Sequence, residues 1–129
     1  MTPENTRTWS VIISSMGADD PPDDQESFSV YLRAKHDADA AVRSASGRSD
    51  LAHTIVRPGQ LTDNESTGSV RLAESAEPEE TARADVAEVL AELIDSGHGR
   101  NTTFEAISGS SAIADAVRGL DGLSMPTNG

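Results

Sequence analysis

His53-Thr54-Ile55-Val56-Arg57-Pro58-Gly59 is the stretch whose reading decides the fold. A short run rich in β-branched residues reads as a buried strand, and Pro58-Gly59 ends it sharply. Upstream, Ser27–Ser46 reads as a helix. Val30, Ala34, Ala38, Ala41 and Ala45 recur there at spacings of three and four, predicting a narrow apolar stripe packed close to a neighbour. Gly47 supplies the stop. Before that helix, Trp9–Ser14 (WSVIIS) reads as another strand, ended by Ser15-Met16-Gly17. Ala18–Glu26 joins the two as a loop, because adjacent prolines forbid regular structure and its aspartates keep it wet. The loop lacks the spaced oxygen ligands and turn glycine of a calcium site, so no metal is expected.

Downstream, Gln60–Glu80 is polar and loop-like, with a short strand at Ser69–Leu72. Arg83–Asp95 reads as a helix with Val86, Val89, Leu90, Leu93 and Ile94 on one face and Gly97 as its C-cap. Thr103–Ile107 is a third strand. Ser111 then caps a last helix that turns Ile113, Ala116, Val117 and Leu120 inward, and Asp121–Gly129 reads as a loose tail. Strand and helix alternate three times. That alternation predicts an α/β fold with a parallel sheet and crossover helices, in one domain spanning residues 1–129.

Composition narrows the partners. The 129 residues include 22 acidic and 10 basic side chains, for a formal charge of −12, which disfavours a nucleic-acid backbone as partner. Aromatics are only 3%, so the core must come from Ala, Val, Ile and Leu. No cysteine is present, which removes disulfides and thiolate metal sites. No apolar run approaches the roughly 18 residues of a membrane span, and Met1–Arg7 lacks the apolar stretch of a secretory signal. A soluble cytoplasmic protein without a membrane partner is expected.

The helix at Ser27–Ser46 also carries Tyr31-Leu32-Arg33-Ala34-Lys35, the chain's sole tyrosine and sole lysine at a spacing of four. On a helix these positions lie one turn apart on one face, so a phenol and an ammonium project together. An ammonium beside a phenol favours the phenolate, which suits a phenol to acid–base work near neutrality. Ser14-Ser15 sits at the C-terminal end of the first strand, where open α/β sheets build their sites.

Ser14-Ser15-Met16-Gly17-Ala18, Tyr31-x-x-x-Lys35, Thr54-Ile55-Val56-Arg57-Pro58-Gly59-x-Leu61-Thr62 and Arg83-Ala84-Asp85-Val86-Ala87 follow in this order. Together they resemble the atypical short-chain dehydrogenase/reductases, a group that includes NmrA-like and NAD-dependent epimerase/dehydratase-like proteins. The resemblance runs over about residues 8–120. It implies a Rossmann-type doubly wound parallel sheet and NAD(P) as cofactor. Residue by residue, it implies Tyr31 as proton donor or acceptor, and Lys35 as partner of both the nicotinamide ribose and Tyr31. Ser15, or Ser14 in second place, would polarise a substrate carbonyl. Pro58-Gly59 would approach the nicotinamide with their backbone. Arg57 and Asp85 are expected to be structural.

One part of the pattern is missing. The family opens with a strand, a G-x-x-G-x-x-G turn and a helix whose N-terminus takes the pyrophosphate. Gly17 is isolated, and Gly97-His98-Gly99 follows a helix instead of opening one. The segments present correspond to the last three strands, so the N-terminal half is expected to be absent and the isolated chain not to be a competent enzyme. Three readings stay open: an NAD(P)-dependent oxidoreductase or epimerase-like chain acting on a small molecule, a non-catalytic nucleotide-sensing module, or a non-functional remnant. With the preceding strand gone, Val11-Ile12-Ile13 should form a bare sheet edge prone to self-association.

Overall fold

The computed structural model describes residues 8–45 and 51–124. Thr8–Ile13 forms strand β1, and Leu51–Pro58, the decisive stretch of sequence, forms β2. They pair in parallel, with Ile12 opposite Ile55 and Ile13 opposite Val56. Between them Ser27–Ala45 forms helix α1. Past β2 come two short strands, β3 (Gln60–Thr62) and β4 (Ser69–Ala73), then β5 (Glu80–Ala82) leading into helix α2 (Arg83–Ser96). Thr102–Ser108 is β6, Ser111–Ala112 is β7, and Ile113–Arg118 and Leu120–Ser124 are helices α3 and α4.

The main sheet has the order β1-β2-β6-β4-β7, so β1 is its outer strand. β2 and β6 are parallel, whereas β4 lies antiparallel against β6 and carries β7 on its far side. The three main strands read from the sequence, β1, β2 and β6, are parallel as expected, and β4 and β7 extend the sheet with antiparallel pairing. The short strand predicted at Ser69–Leu72 is β4. β3 and β5 pair with each other in a separate small ladder, within the region read as polar loop.

Three further expectations need correction. The small-residue stripe of α1 faces outward: Val30, Ala34, Ala38, Ala41 and Ala45 are exposed, and the buried residues are Ser29, Leu32 and Asp39. The reason is polar, since the sheet side of α1 holds a buried carboxylate that β2 must satisfy. Ser111 does not cap α3; it belongs to β7 opposite Val70, and the N-cap is Ala112 without a side-chain bond. Residues 121–124 are helical, and Asp121 accepts the backbone N–H of Gly99 at 3.1 Å while meeting His98 Nδ1 at 2.6 Å. Ser46, Gly47 and residues 125–129 lie outside the described residues.

The core sits between the sheet and the helices α2 and α3. Val56, Val70 and Phe104 from the strands meet Val89, Leu93, Val117 and Leu120 from the helices. α2 buries Val86, Val89 and Leu93 as its periodicity predicts, but Ile94 stays 65% exposed. Gly97 ends the helix as expected: its φ of 79° is the left-handed conformation a glycine adopts without strain, and its N–H donates to Leu93 O at 2.9 Å. At the opposite end of the sheet from Pro58, Trp9 Nε1 donates to Thr54 Oγ1 at 2.8 Å and the Arg100 guanidinium lies 4.6 Å over the Trp9 ring.

Candidate functional site

A cleft of about 920 Å³ opens at the C-terminal ends of β1 and β2. Parallel α/β sheets place their ligands there because the strand-to-helix turns converge at that end. Ser14 and Ser15 line it from the turn after β1, Tyr31 from α1, Pro58 and Gly59 from the end of β2, and Ser75, Ala76 and Pro78 from the loop between β4 and β5. Four of the five residues assigned from the sequence, Ser15, Tyr31, Pro58 and Gly59, thus line one space. Lys35 stands beside it instead.

Local backbone bonds fix this convergence. Ser14 N–H donates to Val56 O at 2.6 Å and Met16 N–H to Pro58 O at 3.1 Å, carrying the pairing of β1 and β2 on into the turn. Ala18 N–H donates to Ser15 O at 3.1 Å, closing that turn. α1 is fastened alongside by His36, whose Nδ1 lies 2.7 Å from Ala18 O, and by Lys35, whose Nζ donates to Ile13 O at 3.1 Å.

Below the cleft lies a buried polar cluster. Asp39, fully buried, accepts Ser14 Oγ–H at 2.7 Å and the Arg57 Nε and Nη2 hydrogens at 3.1 and 3.0 Å, all on Oδ2. Its Oδ1 has no partner among the described residues. Removing one member of such a pair leaves an uncompensated buried charge, so helix α1 and strand β2 are locked in register. Ser14 is committed to this cluster. Ser15 donates only to its neighbour's carbonyl, Met16 O, at 3.2 Å. Arg57 is structural, as the sequence reading expects.

Tyr31 is half-exposed and stacks on Phe28 with ring centroids 6.0 Å apart. The Lys35 ammonium lies 5.6 Å from the Tyr31 ring centroid, so the two share one face as a spacing of four requires. An ammonium has three N–H donors; one is spent on Ile13 O, and two remain.

Gly59 has a packing reason for being glycine. A Cβ there would stand 1.8 Å from the Glu79 carbonyl oxygen, so the bare Cα admits the loop ahead of β5 against the turn. Its N–H donates to Ala106 O at 3.1 Å. Asp85 is structural too. It accepts Ser66 Oγ–H at 2.7 Å, Thr67 Oγ1–H at 2.9 Å and the backbone N–H groups of Thr67 and Gly68 at 3.0 Å, and so holds the loop before β4.

The sequence reading missed Glu105. It sits inside β6, is 7% exposed, lines the cleft, and accepts Ala76 N–H on Oε1 at 2.8 Å. The available signal was a lone carboxylate in the run Thr103–Ile107, since charged groups are seldom buried without a use.

A cleft at the strand-to-helix turns, lined by serine, tyrosine and a proline–glycine turn, is where an α/β protein of this kind takes its ligand. The chain belongs to the NAD(P)H-binding family, whose model matches residues 8–97. It is 33% identical over 110 residues to the uncharacterized sugar epimerase YhfK of Bacillus subtilis, an alignment covering 85% of this chain and 50% of that protein. Among solved structures, an NAD-dependent epimerase/dehydratase-type protein from Bacillus halodurans superposes with a TM-score of 0.72 at 40% identity, covering 83% of this chain and 49% of the other. The oxidoreductase ylbE from Lactococcus lactis superposes with a TM-score of 0.70 at 25% identity, covering 85% and 50%. The chain therefore spans about half the length of the relatives it matches, and the Rossmann-like resemblance of the fold holds over that half.

Beside the cleft Lys35 keeps two N–H donors, and the turn at Pro58-Gly59 forms part of the cleft wall. No glycine-rich turn opening a helix is found among the described residues to take the pyrophosphate.

Proposed function

We propose that this chain carries the proton-transfer half of an NAD(P)-dependent epimerase or reductase acting on a small molecule. The observation behind this is the convergence of Ser15, Tyr31, Pro58 and Gly59 on one cleft at the strands' C-terminal ends. NAD(P), when bound, supplies hydride exchange at a substrate carbon. The chain's own residues manage the oxygen. Tyr31 passes the phenolic proton to that oxygen, or takes one from it in the reverse direction. Ser15 offers its hydroxyl to the same oxygen and polarises the carbonyl. Lys35 holds a ribose hydroxyl with one remaining N–H and sets its charge beside the Tyr31 ring.

The test uses this chain joined to the N-terminal half of a full-length relative. Tyr31→Phe should lower turnover by roughly 10²–10⁴-fold, the usual contribution of a general acid–base group, and leave cofactor affinity nearly unchanged. Lys35→Ala should damage both, because that ammonium has two tasks. Equal and mild effects from the two changes would mean the pair is structural, and would favour a nucleotide-sensing module without chemistry.

A further inference from the structure

We propose that Glu105 reads the substrate in the cleft. It selects an uncharged or cationic molecule bearing hydroxyl or amine donors over a carboxylate or a phosphate. This rests on the reading of the cleft as the substrate site.

Burial makes Glu105 unusual. Its side chain is more than nine-tenths buried at the centre of the sheet and faces a cavity. Ala76 N–H binds one carboxylate oxygen, which leaves acceptor capacity on a group that, when ionised, only accepts. Holding a backbone N–H does not require a charge, and burying one is costly. A donor arriving in the cleft is what turns that charge to use, because charge-assisted hydrogen bonds are the strong ones.

The surroundings set the sign of the selection. No lysine, arginine or histidine is among the described residues lining the cleft, whereas Asp19 and Glu105 are. The nearby cations stand outside the lining, each with at least one partner of its own. Arg57, the register neighbour of Glu105 on β2, gives Nε and Nη2 to Asp39. Lys35 donates to Ile13 O, Arg33 to Pro22 O at 2.7 Å, and His36 meets Ala18 O. An anion entering the cleft meets the Glu105 carboxylate in a partly desolvated space whose lining carries no cation.

The test is an NMR titration of the ¹⁵N-labelled chain, slightly below neutral pH, with three probes sharing one ring and differing in charge: D-glucosamine, D-glucose and D-glucuronate. The amides of Ala76, Glu105 and Gly59 should shift, with affinity falling in that order. About ten-fold should separate the first from the last, the scale of one charge-assisted bond. In Glu105→Gln, whose side-chain carbonyl can still accept Ala76 N–H, the separation should shrink to about two-fold, the part owed to the chain's overall charge. Glu88→Gln, on the outer face of α2, should leave the ten-fold separation in place. Tyr31→Phe should preserve the preference as well, so loss of the acid–base assignment and loss of this proposal are separable. Three results would overturn it: glucuronate binding as tightly as glucosamine, an order unchanged in Glu105→Gln, or no shift at the cleft amides with any probe.

Discussion

Asp85 shows what one carboxylate does to a loop. Burial alone raises its pKa, but hydrogen bonds from Ser66, Gly68 and Thr67 outweigh burial and hold it below the ordinary 3.8. A folded-state pKa depressed in this way contributes stability that is present above the unfolded value. That contribution fades as pH falls through the lower folded value. Asp85→Asn turns an amide toward a ring of donors and should cost roughly 2 kcal/mol at neutral pH. Urea unfolding should show that deficit at neutral pH and a smaller one below 3.8. A constant deficit across pH would mean the loss is steric and owes nothing to charge. The meeting of Ser15, Tyr31, Pro58 and Gly59 at one cleft was legible in sequence because they stand in a spaced pattern. Glu105 was not, because its place in the cleft depends on a strand that pairs with β2 from 48 positions further along (Ile55 opposite Thr103).

At the scale of elements, legibility followed the strength of the apolar signal. β2 and α2 were readable because branched side chains and a period of 3.6 left one solution. The face of α1 was misread, since alanines recur on it without large residues to say which side is inward. The Asp39–Arg57–Ser14 cluster decides the matter instead, and no periodicity announces an ion pair. β4 was visible as a strand but not as an antiparallel one, because direction is a property of the connection and not of the run. β1 pairs on one side only among the described residues, and Ile13 is 39% exposed. Such an edge invites pairing with another copy. Acidic self-repulsion should hold copies apart at low ionic strength and release them once salt shortens its reach to below about 10 Å. Light scattering should therefore show mass rising with salt. Ile13→Lys, which sets a charge on the edge, should keep the chain monomeric. A monomer at every salt concentration, with strong hydrogen-exchange protection at Ile12 and Ile13, would show that the edge is covered.

At the scale of the whole molecule, the described residues include a cleft at the ends of β1 and β2 and no glycine-rich turn opening a helix. This polypeptide on its own should bind neither NADH nor NADPH with useful affinity, because no such turn is found among the described residues to offer a pyrophosphate its backbone donors. Calorimetric titration decides the point, and saturable micromolar binding would show that the pyrophosphate has another home. The sheet has a further consequence, in time instead of space. β1 reaches β2 across the whole of α1, and β2 reaches β6 across β3, β4, β5 and α2. Contacts this distant along the chain close late and slowly, after their loop entropy has been overcome. The cleft has walls from α1, from the ends of β1 and β2 and from β6, so no early, locally folded intermediate can possess it. Occupancy of the cleft is then a reporter of complete folding, and a small molecule held there would act as a chaperone for the entire chain by mass action.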